Sequence, residues 1–395
     1  MRVVEGLRRD HDVCVACPAR GPLADAVEGA GIERLSLPAV DASLRLHPVH
    51  TPMGMGQLGA GGVALARAAR RFRAEVIHAN TPRAGIMGAI ARRLGGPPVV
   101  VRAHEHLPLT PVGRTVRGLI ARTASAVVAV SDYTAGKFNE GLAHPVATRV
   151  YNSIDHARFD PTRVRPADLR TELGLAADVP LLGHVAQITP WKGQDTSIRA
   201  LADLRSHGLD AHLLLVGHVV FGGKRVRYDN RAFLRRLEGL AAELGVTDAV
   251  HFLGQRDDVP TILRALDLSL LPSWEEPFGL VTLESMALGT PPIVSAVGAG
   301  PELVEDEVSG RILPPRRPEL WADATRKLLE DAEILRRLGA AGPAAAAPFR
   351  DEVHAREMLA IYERAAAIPA GGSEAGGRSA PSPAPDDRAE AAWPS

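Results

Sequence analysis

The sequence predicts an α/β protein of two domains, each a parallel sheet covered on both faces by helices. Three observations carry this. The chain has 395 residues, too many for one hydrophobic core of ordinary size. Short β-branched or apolar runs alternate with longer amphipathic stretches, the mark of successive strand–helix units. The alternation pauses once, across "TRVYNSIDHARFDPTRVRPADL" at 148–169, which reads as a crossover between the two domains.

The elements follow in order. "MRVVEGL" begins inside a helix by pattern, because Val3, Val4 and Leu7 recur at helical spacing. "DVCVACP" reads as a strand, and "GGVALARAARRFRA" as an amphipathic helix. The runs "AEVIHAN", "PPVVVRAH" and "SAVVAVS" are the further strands of the first half. In the second half the strands are "PLLGHVAQ", "AHLLLVG", "AVHFLG", "LSLLPS" and "PPIVSA", with "AFLRRLEGLAAELG" a clear helix among them. "DEVHAREMLAIYERAAA" is a late amphipathic helix, and the Pro/Gly/Ala/Ser-rich residues that follow predict disorder. The expected division is 1–150, 151–347, a helix within 348–368 that returns to the first domain, and a disordered 369–395.

Composition narrows the function classes. The formal net charge is zero, so bulk attraction to nucleic acid is not indicated. Residues 1–150 carry 19 Lys and Arg against 11 Asp and Glu. That excess suits an anionic acceptor or a membrane surface, or it reflects a coding preference for arginine. Peripheral membrane contact is not otherwise indicated. The two cysteines, Cys14 and Cys17, share a strand rather than opening a helix. They read as apolar-type residues, not as a redox pair. There is no secretory signal and no 18-residue apolar run, so the expectation is a soluble, cytoplasmic protein.

In open parallel sheets, ligands bind beyond the carboxyl ends of the strands. The residues there are Asn80, Thr81 and Arg83, then His104, Glu105 and His106, then Ser131 and Asp132. In the second half they are Gln187 and Lys192, Gly217, Gly254 and Arg256, and Glu275 and Glu276. The most informative stretch is "PSWEEPFGLVTLESMALGTPPIVS", 272–295, which holds Glu276 and Glu284. Taken singly, these are a turn glutamate and a helix-end glutamate. Taken together they suit a nucleotide-linked ligand. Gly279 and Leu280 should open a helix whose free N–H groups form an anion site. Glu284, one turn later, can accept hydrogen bonds from a vicinal diol such as ribose. Glu276 would face whatever is attached to the far phosphate. Lys192, one of four lysines, follows a strand in "VAQITPWKGQD". A compact ammonium suits a diphosphate, and Gly193 lets backbone approach closely. A surface lysine in a turn is the alternative.

These segments, with "FLGQRDDVPTIL" and "VYNSIDHARF", resemble the retaining glycosyltransferases of family 4, over most of residues 1–368. The resemblance implies the GT-B fold, two Rossmann-like domains facing a central cleft. It implies that Glu276 contacts the donor sugar, Glu284 the ribose and Lys192 the diphosphate. His104 would lie near the reaction centre. Gly254 to Arg256 would line the base site, with Gln187, Gly193, Pro277, Phe278, Gly279 and Leu280 also on the donor side. Asn80, Arg83, Glu105 and His106 are acceptor-side candidates by strand-end position. The donor is a nucleotide-sugar used as co-substrate, with no cofactor and no metal, and the acceptor is a metabolite, lipid or glycan. A catalytically weak nucleotide-sugar-binding subunit and another GT-B enzyme, such as a sugar-nucleotide epimerase or a phosphorylase, are the rival readings.

Two departures stand out. Gln187 occupies a position where the family usually has an arginine, which removes a strong diphosphate contact; Arg256 is a candidate to compensate. "LRRDHDV" resembles the family's passage from its first helix into its second strand. The expectation is therefore an N-terminal domain that lacks its first strand and glycine loop, with a short strand in "MRVVEGL" as the competing reading. Other motifs read blandly. "DHD" at 10–12 is a turn, "HEH" at 104–106 has no third ligand, and the Asp257-Asp258 pair is a helix N-terminal cap and first-turn charge. "ARAARRFRAE" is a solvated helix face rather than a membrane-surface helix.

Overall fold

The computed structural model describes residues 2–40, 50–105, 107, 110–220 and 228–368. His106 and the segment 369–395, both subjects of sequence expectations, lie outside the described residues. The strands are β1 (Cys14–Pro18), β2 (Glu33–Leu37), β3 (Ile77–Ala79), β4 (Val99–Ala103), β5 (Ala126–Ala129) and β6 (Ala147–Arg149), then β7 (Leu181–Val185), β8 (His212–Val216), β9 (Val250–Gly254), β10 (Leu268–Leu271), β11 (Pro292–Ser295) and β12 (Arg311–Leu313). Every pairing among them is parallel. The architecture is α/β with parallel sheets, as the alternation predicts, but the described strands form three sheets rather than two.

The second half forms one six-stranded sheet in the order β12-β11-β10-β7-β8-β9. Strands β7, β8, β10 and β11 are buried along their whole length. That is why they read as continuous apolar runs rather than as alternating ones. From β7 the chain winds outward through β8 and β9, then crosses back to β10 on the other side of β7. The strand order therefore reverses between β7 and β10. A crevice opens there, at the carboxyl ends of these two strands.

The first half forms a four-stranded sheet, β3-β4-β5-β6, and a separate pair, β1-β2. The described chain starts with the helix Arg2–Leu7. Its residues contact the late helix Asp351–Ala366. That late helix lies on the four-stranded sheet, where Met358, Ile361 and Ala365 share a core with Val100, Val128 and Val150. The helix His50–Phe72 buries Leu65, Ala66 and Ala69 and leaves Arg67, Arg70 and Arg71 exposed. No helix among the described residues is long and apolar enough to cross a membrane.

Two sequence expectations change in detail. Asp258 precedes the helix Val259–Ala265, but its side chain makes no capping bond. Both of its carboxylate oxygens are taken by Arg256 instead, at 2.8 Å each, and a bidentate charge-assisted pair outcompetes a single backbone N–H. Cys14 is half-buried rather than buried. Burial and the nearby Glu33 raise its thiol pKa to about 11, which keeps it protonated and unreactive.

Candidate functional site

The sheet switch point gathers the donor-side candidates. After β7 a 3-10 turn, Pro190–Lys192, leads into Gly193 with φ 77°. A Cβ at Gly193 would lie 2.4 Å from the Pro272 carbonyl oxygen, so this position requires glycine on both counts. The close approach places the turn directly beside the end of β10. There the Lys192 Nζ donates to Glu276 Oε2 at 2.7 Å, with side-chain exposures of 14% and 11%. Ser273 Oγ donates to the same oxygen at 3.0 Å. The two residues singled out in separate segments, 84 positions apart, meet as a largely buried ion pair.

Gly279, with φ 90°, precedes the helix Leu280–Ala287. Its left-handed backbone is the N-cap of that helix, and a Cβ there would lie 3.4 Å from Glu276 Cγ, so the helix start stands beside the Glu276 side chain. Glu284 lies half-buried in the middle of this helix. Phe278 behaves differently from the other donor-side candidates. Its ring is buried against Tyr151 and Phe349, so it supports the loop from beneath. Leu280 is 40% exposed. Gly254 closes β9 with φ 65°, and its carbonyl accepts from the Gly217 N–H at 2.8 Å. Arg256 is committed to Asp258 and to Glu172, whose Oε1 lies 2.8 Å from Nη1. To stand in for the arginine absent at Gln187, its guanidinium would have to give up one of these pairs. Gln187 itself is half-buried, and its carbonyl accepts from Gln194 Nε2 at 2.9 Å.

Sequence reasoning missed the loop that holds Glu276 from behind. The Ala299 N–H donates to the Glu276 carbonyl at 2.9 Å. A Cβ on Gly298, whose φ is 98°, would come within 2.4 Å of that same carbonyl. The positive-φ glycine in "AVGAGPELV" was the available clue. In the short helix Gly300–Leu303 that follows, the Glu302 carboxylate accepts from the Asp132 and Tyr133 N–H groups at 2.8 and 2.7 Å. These belong to the start of the helix Asp132–Asn139. Ser131 Oγ and Thr134 Oγ1 donate to the Pro277 carbonyl at 2.6 and 3.0 Å. The carboxyl ends of the two sheets thus face each other and are clasped by four hydrogen bonds.

On the other wall, Asn80 follows β3 and His104 follows β4. His104 Nε2 lies 2.7 Å from Asn80 Oδ1. Arg83 and Glu105 are exposed nearby in the chain. Beneath them, buried Arg102 donates to the Val150 carbonyl and Asn152 Oδ1 at 3.1 and 2.9 Å. Desolvation by the surrounding walls, helped by Arg102 and by His78 and His354, lowers the His104 pKa to about 4. His104 is nevertheless exposed to solvent as a residue, so it lies at the open surface of the wall. Among the described residues, no group of three or more His, Cys, Asp and Glu is arranged to hold a metal ion.

Burial lowers three further histidines. His184 is held at about 3 by burial and by Lys192, and His78 and His354 at about 4, chiefly by burial. Depressed folded-state values mean that the unfolded chain binds more protons between pH 4 and the ordinary histidine value of about 6.5. Stability should therefore be constant above that value and fall as the solution is acidified toward pH 4. Thermal melts across this window check it; a melting temperature that rises on acidification would contradict it.

Comparison with known proteins agrees with this architecture. The family described as "Glycosyl transferases group 1" matches residues 167–345, and "Glycosyl transferase 4-like domain" matches residues 1–152. The D-inositol 3-phosphate glycosyltransferase of Salinispora arenicola is 33% identical over 79% of this chain and 74% of its own length. That of Actinosynnema mirum is 32% identical over 78% of each. The protein of the same name from Nocardia farcinica is 38% identical, but over 46% of its length. Among solved structures, Anabaena Alr3699/HepE in complex with UDP and glucose superposes with a TM-score of 0.75 at 26% identity, covering 91% of this chain and 94% of that one. The glycosyltransferase from Rickettsia africae ESF-5 superposes with a TM-score of 0.77 at 17% identity, a likeness of fold. The fold and these relatives define a glycosyltransferase that uses a nucleotide-sugar donor. The chain belongs to the family 4 glycosyltransferases, with the GT-B fold.

Proposed function

We propose that the chain transfers a glycosyl group with retention of anomeric configuration, without a metal ion, from a nucleoside diphosphate sugar to a hydroxyl of a polyol-type acceptor. The observation that carries this is the Lys192–Glu276 pair at the sheet switch point, beside the helix that starts after Gly279. Lys192 and the helix N–H groups receive the diphosphate. Glu276 accepts hydrogen bonds from the donor sugar, Glu284 from the ribose, and the backbone around Gly254 faces the base. As the bond to the leaving phosphate breaks, negative charge grows where Lys192 and the helix end already stand. The departing diphosphate takes the acceptor proton on the same face of the sugar, so no enzyme nucleophile is required. His104 lines the reaction centre from the other domain, with Arg83 and Glu105 on the acceptor side. On this reading the two domains are 1–150 and 151–347, with the helix in 348–368 tying the second to the first.

The relatives suggest where to begin. UDP-sugars are the first donors to test, because Alr3699/HepE is solved with UDP-glucose. An inositol phosphate is the first acceptor, because the matched relatives are named for one. Incubation of the purified chain with these, followed by NMR of the product linkage, tests the proposal. An inverted anomeric centre would remove the retaining mechanism. Activity should also persist in EDTA, since Lys192 and the helix end supply the charge a metal would. Complete loss with the chelator, restored by magnesium or manganese, would overturn metal independence.

Glu284→Ala should act on nucleotide binding more than on chemistry. Loss of a hydrogen bond to a charged group is expected to weaken UDP by about 1.5–3 kcal/mol. Calorimetry with free UDP reads this directly, and unchanged affinity would release Glu284 from the ribose.

A further inference from the structure

A chain of polar contacts runs from the cleft wall to the last helix. Asn80 Oδ1 lies 2.7 Å from His104 Nε2 and 3.2 Å from His78 Nε2. The other nitrogen of His78, Nδ1, lies 2.6 Å from the Tyr362 hydroxyl, on the helix Asp351–Ala366. An amide oxygen can only accept. Both Nε2 atoms must therefore carry hydrogen and donate to Asn80. Neutral His78 then has a bare Nδ1, which accepts the Tyr362 O–H. The direction of each of these three bonds follows from the fixed character of the amide oxygen.

We propose that Asn80, backed by His78 and Tyr362, is a positioning device that locks the His104 imidazole in its Nε2–H tautomer and leaves Nδ1 as a hydrogen-bond acceptor. His104 can then accept a hydrogen bond from a hydroxyl in the cleft, and it cannot offer Nε2–H to a phosphate oxygen. The protonated ring is opposed from below. Burial opposes the charged form of both rings most, the Arg102 cation adds to it at both, and His78 and His354 add to it at His104. The lowered values of His104 and His78, about 4 each, agree with neutral rings near pH 7. The arrangement also gives the last helix a part in the site. Tyr362 stands 284 residues from His78 in sequence, so docking of that helix completes the row.

The assignment of a reaction-centre role to His104 rests on the proposed function; the tautomer itself does not. The test therefore begins with a spectrum rather than a rate. The full chain, labelled with 15N-histidine, is examined by long-range 1H–15N correlation at pH 7.5, with His104→Gln and His78→Gln used for assignment. Both rings should show the neutral Nε2–H pattern. An Nδ1–H or imidazolium pattern at His104 overturns the proposal, whatever the enzyme's activity. Tyr362→Phe should leave His78 in the Nε2–H tautomer, which Asn80 still enforces, but move its Nδ1 resonance downfield to that of an unbonded ring nitrogen; an unchanged Nδ1 shift removes Tyr362 from the row.

Two substitutions at Asn80 separate positioning from folding. Asn80→Ala should average the His104 tautomers and lower kcat at least about tenfold, with donor KM little changed. Asn80→Asp keeps an acceptor for both Nε2–H groups but adds a negative charge. It should retain the Nε2–H pattern while moving the acid limb of the pH–kcat profile upward by about one unit or more. A merely structural Asn80 would lower the melting temperature in both variants and leave the tautomer and the acid limb where they were; that result sinks the proposal. If the tautomer pattern holds while no donor or acceptor supports turnover, the proposed function fails and the positioning row stands.

Discussion

Glu276→Gln is expected to reduce turnover by roughly 10²-fold or more, the scale for loss of one preorganised electrostatic contact at a reaction centre. Size and packing are conserved by the change. The Ser273 hydroxyl can still donate to the amide oxygen, and the Gly298–Ala299 backbone still holds residue 276 from behind. What is lost is the negative charge that fixes Lys192 and the second acceptor oxygen available to the donor sugar. Affinity for free UDP should change little, because the sugar contact is absent from that ligand. Near-normal turnover at saturating donor would remove Glu276 from the reaction centre.

Lys192→Met is expected to have two separable consequences. The first is chemical. The ammonium is the cation built into the switch point, and its loss should lower turnover by roughly 10²–10³-fold. The second is structural. Glu276 is left largely buried with Ser273 as its remaining side-chain donor. Breaking a fully buried pair costs about 3–5 kcal/mol. The residual exposure and the serine reduce this to about 1–3 kcal/mol. The double variant Lys192→Met/Glu276→Gln should recover most of that stability, since neither partner is then an unpaired charge, and none of the turnover. Chemical denaturation of the two single variants and the double, alongside steady-state rates, completes the cycle. If the double variant is no more stable than Lys192→Met, the pair is not what stabilises this corner of the fold.

The local geometry around Lys192 and Glu276 was legible because its physics is local. A strand end, a left-handed glycine and a helix start occur within a few residues of one another at Pro272–Leu280, and the same holds for Thr189–Gly193. Each leaves a signature of turn chemistry and apolar run that needs no tertiary knowledge. The resemblance to family 4 then joined the two segments. The interior strands were legible for a related reason: β4, β7, β8, β10 and β11 are buried on both faces and are therefore mostly apolar, with single polar residues such as Arg102 and His184 among them. The strands that escaped notice, β2, β6 and β12, are all at sheet edges and are partly exposed. They carry Arg34, Arg149 and Arg311, as edges do when they discourage pairing with other chains. Three to five residues with a charge among them do not differ from a loop in sequence.

The sequence by itself determined the fold class, the order of the interior elements, and the residue types gathered at the strand ends. Only the tertiary structure decided how those residues are spent. It pairs Lys192 with Glu276, commits Arg256 to Asp258 and Glu172, puts Phe278 in the core, and turns the Asn80 amide oxygen toward two histidines. It also supplies contacts with no local trace, such as Glu302 at the helix start 170 residues earlier and Tyr362 against His78. The reason is physical. Periodicity and turn chemistry report forces within a few residues along the chain. A hydrogen bond between distant segments depends on where two independently formed elements come to rest, and that is fixed by packing of the whole core.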